Sequence, residues 1–414
     1  MRNQLQARTP AGEKFVELAE QHSDEIATRA AEHDQNGTFP HEAIDAMKAS
    51  GFASGPLQEE FGGLGVASPY DVMVAVSRLA RSDASVAIAI NMHLTTGIIV
   101  NRLVRGAREA NDPVAIGLME GFAGLLGGGA IAMANATEPG TDIRHPLTEA
   151  TRVDEGRRLD GRKIFGTLSP VADVMTVTAR HKRDDGTWGR GRAIVFRGTP
   201  GQTIMENWDA LGMRASGSHD VVYDNCVIPD SLYIDQGDWG AFDEENLLVS
   251  TAGAFGLIGA FLGIAEAARD HVVPMLKTRT KQPSGRVLAA RHGIQHTMAE
   301  LEIELATARA HLAFVGPALD DLISQRPVAS VTHDDFHQGM SSTQIAKVAT
   351  QRAAMNVVDL AMQLSGGAGY MTANPLSRLY RDVRAGPFMQ PLSPNEAYEY
   401  IGQVALDQPV ELEG

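Results

Sequence analysis

The sequence predicts an α+β fold in three consecutive units, and three changes of pattern along the chain carry that expectation. Up to about residue 130, apolar side chains recur at three- and four-residue spacing, as in Phe15, Leu18, Ala19 and Ile26 and again in Ile44, Met47 and Ala49, the period of helices with one buried face. Between about 131 and 235 the period falls toward two. Runs such as Met175-Thr176-Val177-Thr178, Ala193-Ile194-Val195-Phe196 and Val221-Val222-Tyr223 are rich in residues that suit a pleated surface. Asp154-Glu155-Gly156, Asp160-Gly161 and Asp184-Asp185-Gly186 read as hairpin turns between such strands, so this unit is expected to be antiparallel. Beyond 240, alanine-, leucine- and glutamate-rich stretches at 246–277, 289–325 and 341–365 predict long helices in an antiparallel bundle, joined by loops at 278–287 and 326–335. The expected units are 1–130, 131–238 and 239–414.

Composition narrows the class. At 414 residues and 43% hydrophobic side chains the chain can bury a large core. The formal net charge of -15, from 36 Lys and Arg against 51 Asp and Glu, argues against a nucleic-acid partner, because phosphate binding needs basic surface and no Lys/Arg-rich run is present. The single cysteine, Cys226, excludes an intrachain disulfide and a cysteine metal cage. It fits a reducing cytoplasm, and with no apolar signal stretch at the start a cytoplasmic location is expected. The most apolar runs, 86–104 and 250–268, are interrupted by Asn91, His93, Asn101, Ser250, Thr251 and Glu266, which marks them as buried core helices, so no membrane span is expected.

The stretch richest in chemistry is 363–382. Gln363-Leu364-Ser365-Gly366-Gly367-Ala368-Gly369-Tyr370 sets three glycines beside a polar side chain at the end of a helical pattern, and Leu379-Tyr380-Arg381-Asp382 follow. Such glycines let a flat or anionic ligand approach backbone amides, so a nucleotide-type cofactor is expected there; the alternative is a helix cap and loop. No Gly-x-x-x-x-Gly-Lys-Ser/Thr loop is present, nor a Gly-x-Gly-x-x-Gly after a strand, which sets aside P-loop and Rossmann enzymes. Arg378, Arg381 and Arg384, at helical spacing, suit either an anionic ligand or carboxylate partners. The pairs His292/His296 and His333/His337 have a spacing that zinc can bridge, but neither has a third ligand in view and no metal is expected. Ser218-His219-Asp220 holds triad residue types, yet neighbours on a strand face opposite sides and cannot form the relay. His93, in an apolar helix, is either a satisfied core histidine or a group beside a redox cofactor.

Four motifs precede the glycine stretch in order: Glu59-Glu60-Phe61-Gly62-Gly63-Leu64-Gly65, Thr137-Glu138-Pro139-Gly140, Lys163-Ile164-Phe165-Gly166-Thr167, and Leu211-Gly212-Met213-Arg214-Ala215-Ser216-Gly217-Ser218-His219-Asp220. Over nearly its whole length the chain thereby resembles the acyl-CoA dehydrogenase family of flavoproteins. The resemblance implies an N-terminal helical domain, a middle antiparallel β-barrel-like domain and a C-terminal four-helix bundle around FAD, with FMN the alternative for a monooxygenase of the same superfamily. It implies that the hydroxyls of Thr137 and Thr167 bond the flavin and that Phe165 flanks its ring. Arg279, Gln363, Gly366 and Gly367 would serve the adenosine and pyrophosphate of a flavin on a neighbouring subunit, hence a homodimer or homotetramer.

The departures from the family pattern bear on chemistry. Phe165 replaces a tryptophan, the glycine and serine that usually follow Thr-Glu-Pro-Gly are shortened to Thr141-Asp142, and the Arg-x-x-Phe-Gly signature is degraded to Arg279-Thr280-Lys281-Gln282-Pro283-Ser284-Gly285. Where the family commonly places the glutamate that takes the substrate's α-proton stands Gln390, whose amide cannot accept it. Some members carry the base near the start of the first C-terminal helix, which here reads Asp243-Glu244-Glu245-Asn246. Glu245 is then the candidate base, and the alternative is an acidic first turn that complements the helix dipole. The leading expectation is FAD-dependent oxidation of an acyl-CoA or similar acyl thioester to its α,β-unsaturated product, with an electron-acceptor flavoprotein as partner. The runner-up is a flavin-dependent monooxygenase fed by a flavin reductase, with His93 and Thr167 beside the ring. A third possibility is a non-catalytic binding subunit.

Overall fold

The computed structural model describes residues 4–241, 244–389 and 391–410, with the side chains of 244–246 left out of the description. Helices come first: α1 (Pro10–Ala27), α2 (Ala30–Asn36), α3 (His41–Ala49), α4 (Pro69–Ser82), α5 (Ala84–Ala110) and α6 (Pro113–Gly127). Side-chain caps start the longer ones. Thr9 accepts the Gly12 N–H, Ser68 the Asp71 N–H, and Asp83 those of Ser85 and Val86, each relieving an amide that has no partner inside the helix.

The β unit comprises β1 (Ala132–Asn135), β2 (Glu149–Val153), β3 (Gly156–Gly166), β4 (Val174–Lys182), β5 (Trp188–Phe196), β6 (Gln202–Ile204), β7 (His219–Ile228) and β8 (Tyr233–Asp238). They form one sheet in the order β6-β7-β3-β2-β4-β5-β8, with β1 laid parallel against β4. The remaining pairings are antiparallel apart from one parallel contact between Glu149 and Arg180. Met133, Leu159, Met175, Val177, Val195, Tyr223 and Cys226 form its buried core. The turns expected at 154–156 and 184–186 join β2 to β3 and β4 to β5. The turn expected at Asp160-Gly161 is corrected: both residues lie inside β3, where the register against β7 slips between Leu159 and Gly161. Asp160 accepts the Asn225 N–H at 2.9 Å, and a Cβ on Gly161 would lie 2.3 Å from Thr148 Oγ1. The glycine permits close approach at a bulge, a use of Asp-Gly that local sequence does not separate from a turn.

The C-terminal unit holds α7 (Glu244–Thr278), α8 (His292–Asp320), α9 (His333–Ser365), α10 (Pro375–Val383) and α11 (Pro394–Ala405), with a small hairpin, β9 (Thr280–Lys281) and β10 (Arg286–Val287), in the loop expected after α7. Helix α9 starts at His333 and not at 341. Thr332 and Asp335 cap it reciprocally, and its first turns are polar, so apolar periodicity does not report them.

Helix α7 is the centre of the molecule. Gly259 and Gly263 bring it against the Met73 and Ser77 carbonyls of α4, where added Cβ atoms would stand 2.2 and 2.3 Å away. Ala84–Ala110 and Leu247–Thr278 are long and apolar enough to cross a membrane, but 83% and 89% of those apolar stretches is buried inside the fold, so this surface forms core. Glu266 of α7, fully buried, accepts from Arg81 Nε of α4 at 2.8 Å and from Arg309 Nε and Nη2 of α8 at 2.9 and 2.7 Å, with Arg78 Nη1 at 3.8 Å. Glu266→Ala strands these guanidinium groups in a low-dielectric interior and is expected to cost about 3–5 kcal/mol, measured as a shift of the urea midpoint relative to wild type.

Candidate functional site

Two buried charges organise one corner of the β unit. The Glu138 carboxylate accepts the Leu147 N–H at 2.7 Å and the Thr148 N–H at 3.0 Å, and it pairs with Lys163 Nζ, which also bonds Thr178 Oγ1 at 3.0 Å. Burial lowers the Lys163 ammonium to about 8 against the pull of Glu138. Burial pushes the Glu138 carboxyl up, and Lys163 outweighs it, holding Glu138 below its usual range. With Glu138 drawn in, Thr137 is held against β3, its carbonyl accepting the Ile164 N–H at 2.9 Å. Its half-buried hydroxyl has no hydrogen-bond partner among the described residues.

Beyond Ile164, strand β3 ends in strained backbone. Phe165 has φ 53 and Leu168 φ 74, both uncommon for bulky side chains, and the Thr167 N–H closes on the Phe165 carbonyl at 2.8 Å. Phe165 is 59% exposed and stands edge-on to Trp208 at 6.0 Å. Thr167 Oγ1 lies 2.8 Å from Ser218 Oγ, which lies 2.6 Å from Ser216 Oγ. The loop that carries these serines is held from the C-terminal unit: Asp382 accepts the Met213 N–H at 2.7 Å, and a Cβ on Gly212 would stand 2.3 Å from the Arg381 carbonyl. Burial pushes the Asp382 carboxyl up to about 7.

The structure therefore brings Thr137, Phe165 and Thr167 together and adds Ser216 and Ser218, to which the sequence reading gave no role beside Thr167. Ser218, His219 and Asp220 form no relay: Ser218, just before β7, turns to Thr167, His219 Nδ1 accepts the Trp208 N–H at 2.9 Å, and Asp220 accepts from Arg162 Nε at 2.9 Å. The shortened Thr141-Asp142 segment closes on itself, with Asp142 accepting the Arg144 N–H at 2.7 Å and pairing with the Arg144 guanidinium and His145.

A second feature, missed in the sequence, flanks this corner. Residues 84–102 of α5 are buried except Met92, Thr95 and Thr96, which, at i, i+3 and i+4, are partly exposed and share one face. On α7, Val249 and Gly253 are the matching uncovered positions, and a Cβ on Gly253 would lie 3.5 Å from Thr95 Cγ2. These five residues form a partly exposed seam where the two helices meet. Met92 packs against both the helical and the β cores. The signal that finds the seam is a break in burial, which no residue pattern reveals.

His93 fastens α5 to that strand. It is 2% exposed, its Nδ1 accepts the Ala132 N–H at 3.0 Å, and burial lowers it to about 4, so it is neutral with its proton on Nε2. This geometry favours the core-histidine alternative. Gln363, Gly366 and Gly367 lie exposed where α9 ends, with open space around the missing Cβ of both glycines, and Arg279 is exposed just past α7. Among the described residues none of these four is hydrogen-bonded to the Thr137–Thr167 corner. The side chain of Glu245, and Gln390 as a whole, lie outside the described residues. Arg381 and Arg384 pair with Asp34 and Asp359, as the carboxylate alternative has it, whereas Arg378 donates to the Ser82 carbonyl. His333 and His337 lie Nε2 to Nε2 at 3.0 Å, with His337 Nδ1 2.7 Å from the Tyr400 hydroxyl.

Fold and motifs together define an oxidoreductase of the acyl-CoA dehydrogenase superfamily. Models of that family match in order: the N-terminal domain at 13–110, the middle domain at 130–226 and the C-terminal domain at 251–390. The chain belongs to the acyl-CoA dehydrogenase family. It is 31% identical to the amino sugar nitrososynthase DnmZ of Streptomyces peucetius over 96% of this chain and 94% of that protein. It is 34% identical to the L-evernosamine nitrososynthase of a Micromonospora species over 96% and 91%. The crystal structure of KijD3 in complex with FMN and dTDP-3-amino-2,3,6-trideoxy-4-keto-3-methyl-D-glucose superposes with a TM-score of 0.89 at 32% identity, covering 99% of this chain and 97% of that one.

His93 supplies a pH test of the corner's anchoring. Its folded value of about 4 lies below the ordinary 6.5, so the unfolded chain binds a proton that the folded chain refuses; the stability it contributes is present above 6.5 and lost as pH falls toward 4. Between pH 7 and pH 5 wild type is expected to lose about 2 kcal/mol more than His93→Gln, read from urea midpoints at the two pH values.

Proposed function

We propose that the chain is a flavin-dependent monooxygenase that oxidises the amino nitrogen of a nucleotide-linked amino sugar, using reduced flavin delivered by a separate reductase. The observation that carries this reading is the full-length likeness to KijD3 in complex with FMN and such a sugar. Gln390 adds weight, because the acyl-thioester dehydrogenase reading needs a carboxylate where the family commonly holds one and an amide cannot take the α-proton.

The residues at the corner fit a flavin. An exposed aromatic, Phe165, can lie along the ring, and two hydroxyls, Thr137 and Thr167, stand where they can bond its polar edge. FMN is the form this reading favours. The family's usual pyrophosphate contact gives way to a turn in which Asp142, Arg144 and His145 are bonded to one another and are not offered to a second phosphate. FAD would instead extend toward Gln363, Gly366 and Gly367 of a second copy. Phe314, Tyr370 and Phe388, 82%, 84% and 79% exposed, leave apolar surface on the C-terminal unit for that copy to cover.

A bound reduced flavin would supply the electrons that activate O2; the chain's share is binding, orientation and control of protons. Among Met92, Thr95, Thr96, Val249 and Gly253 there is no carboxylate. A substrate ammonium placed between these residues loses hydration without gaining a counter-charge from them, and their contribution is to lower its pKa and favour the neutral amine with its reactive lone pair.

With a flavin reductase, NADH, oxygen and a dTDP-linked amino sugar, the full-length protein is expected to yield a product carrying one atom of isotopically labelled oxygen from O2. No label in any product, together with anaerobic bleaching of the bound flavin by an acyl-CoA, returns the assignment to the dehydrogenase. Gly253→Leu, which puts a bulky side chain into the seam between α5 and α7, is expected to raise KM for the sugar about 10-fold or more while flavin affinity is unchanged.

A further inference from the structure

We infer that Ser216 and Ser218 are positioning residues that fix the direction of the Thr167 hydroxyl, making it an obligate donor to the ligand side of the site. The inference rests on the flavin reading above and extends it to residues outside the corner itself.

The direction follows from counting donors and acceptors. Ser216 is fully buried, and among the described residues its Oγ has one hydrogen-bonding neighbour, Ser218 Oγ at 2.6 Å. A buried O–H that donates to nothing keeps the full cost of leaving water, so Ser216 donates to Ser218. Ser218, 3% exposed, has Thr167 Oγ1 at 2.8 Å as its one other partner, and having accepted from Ser216 it donates there. Thr167 accepts and its own proton remains. The in-chain acceptor in reach is the Phe165 carbonyl at 3.5 Å, too long for a good O–H···O bond. The proton is therefore available on the open side, where it meets a lone pair. Each bond polarises the next, so the outermost donor is strengthened.

The chain of hydroxyls cannot easily turn round. Ser169 Oγ donates to the Gly217 carbonyl at 2.9 Å, and the Leu168 N–H to the Ser216 carbonyl at 3.2 Å. Gly217 has φ 57, and a Cβ there would lie 2.6 Å from Pro170 Cγ. Reversing the hydroxyls would leave the Ser216 proton or the Thr167 lone pairs misdirected in a loop that has no slack. The ligand atom chosen is an unprotonated acceptor, and in an oxidised flavin the ring nitrogen N5 has that character.

Binding of FMN and of 5-deaza-FMN, which carries a C–H in place of that nitrogen, to the full-length protein tests this by fluorescence titration. Wild type is expected to prefer FMN about 5-fold, the size of one hydrogen bond. Ser218→Ala and Ser216→Ala are each expected to bring the ratio toward one, and Ser218→Thr, which keeps a hydroxyl, to restore it. A wild-type ratio of one, or a ratio unchanged in both alanine variants, overturns the inference; Ser216→Ala alone decides it if Ser218→Ala does not fold. Wild type that binds neither flavin removes the flavin reading itself, a result distinct from either of these.

Discussion

One buried carboxylate sets the frame on which the other parts are hung. Glu266 sits in the middle of α7 with no exposure and is reached by guanidinium groups from α4 and α8. A charge in that position is tolerable only when it is paired with good geometry, so the three helices share one rotation and one axial register. Gly259 and Gly263 let α7 and α4 approach until side chains no longer separate them. From α4 the chain passes at once, through the Asp83 cap, into α5, and α5 holds the first strand through His93. The placement of the β unit against the helices thus descends from a packing decision made deep in the helical core.

The functional corner is built the same way, from buried polar groups that would be liabilities elsewhere. Glu138 and Lys163 neutralise each other inside the β unit and leave Thr137 against the end of β3. Three units then converge on the loop at 208–218. Asp382 of α10 takes the Met213 amide, Ser85 of α5 takes the Ala215 amide at 3.4 Å, and Trp208 Nε1 donates to the Met213 carbonyl at 2.9 Å. Positive φ at Phe165, Leu168 and Met213 is the strain that these contacts sustain. A loop pinned from so many sides holds hydroxyl groups in place, which is what recognition of a rigid ring requires.

Within this family the chemistry turns on what stands around the substrate, since a shared fold does not fix a reaction. Removing a proton from carbon calls for a carboxylate, whereas oxidising an amine calls for a lone pair kept free of a proton. Met92, Thr95 and Thr96 of α5 and Val249 and Gly253 of α7 are partly exposed residues where these two helices meet. The Asp142 turn is closed by its own bonds to Arg144 and His145, and Phe165 stands exposed at the end of β3.

The sequence by itself determined the order of the three units, the buried nature of α5 and α7, the turns at 154–156 and 184–186, and the motif residues Thr137, Phe165 and Thr167. Each is written in local period or in a short ordered motif, and backbone hydrogen bonding responds to both over a few residues. Asp160-Gly161 was misread because the same dipeptide serves a turn or a bulge, and the partner that decides, Asn225, lies a strand away. The start of α9 escaped because its first turns face water and carry no apolar period. Ser218 looked like a failed triad member until the fold laid Thr167 beside it, and Met92, Thr95 and Thr96 could be told from core only by what fails to cover them. Tertiary structure decided those cases because a hydrogen bond or a seam between distant segments is a property of their packing, and no residue carries it alone.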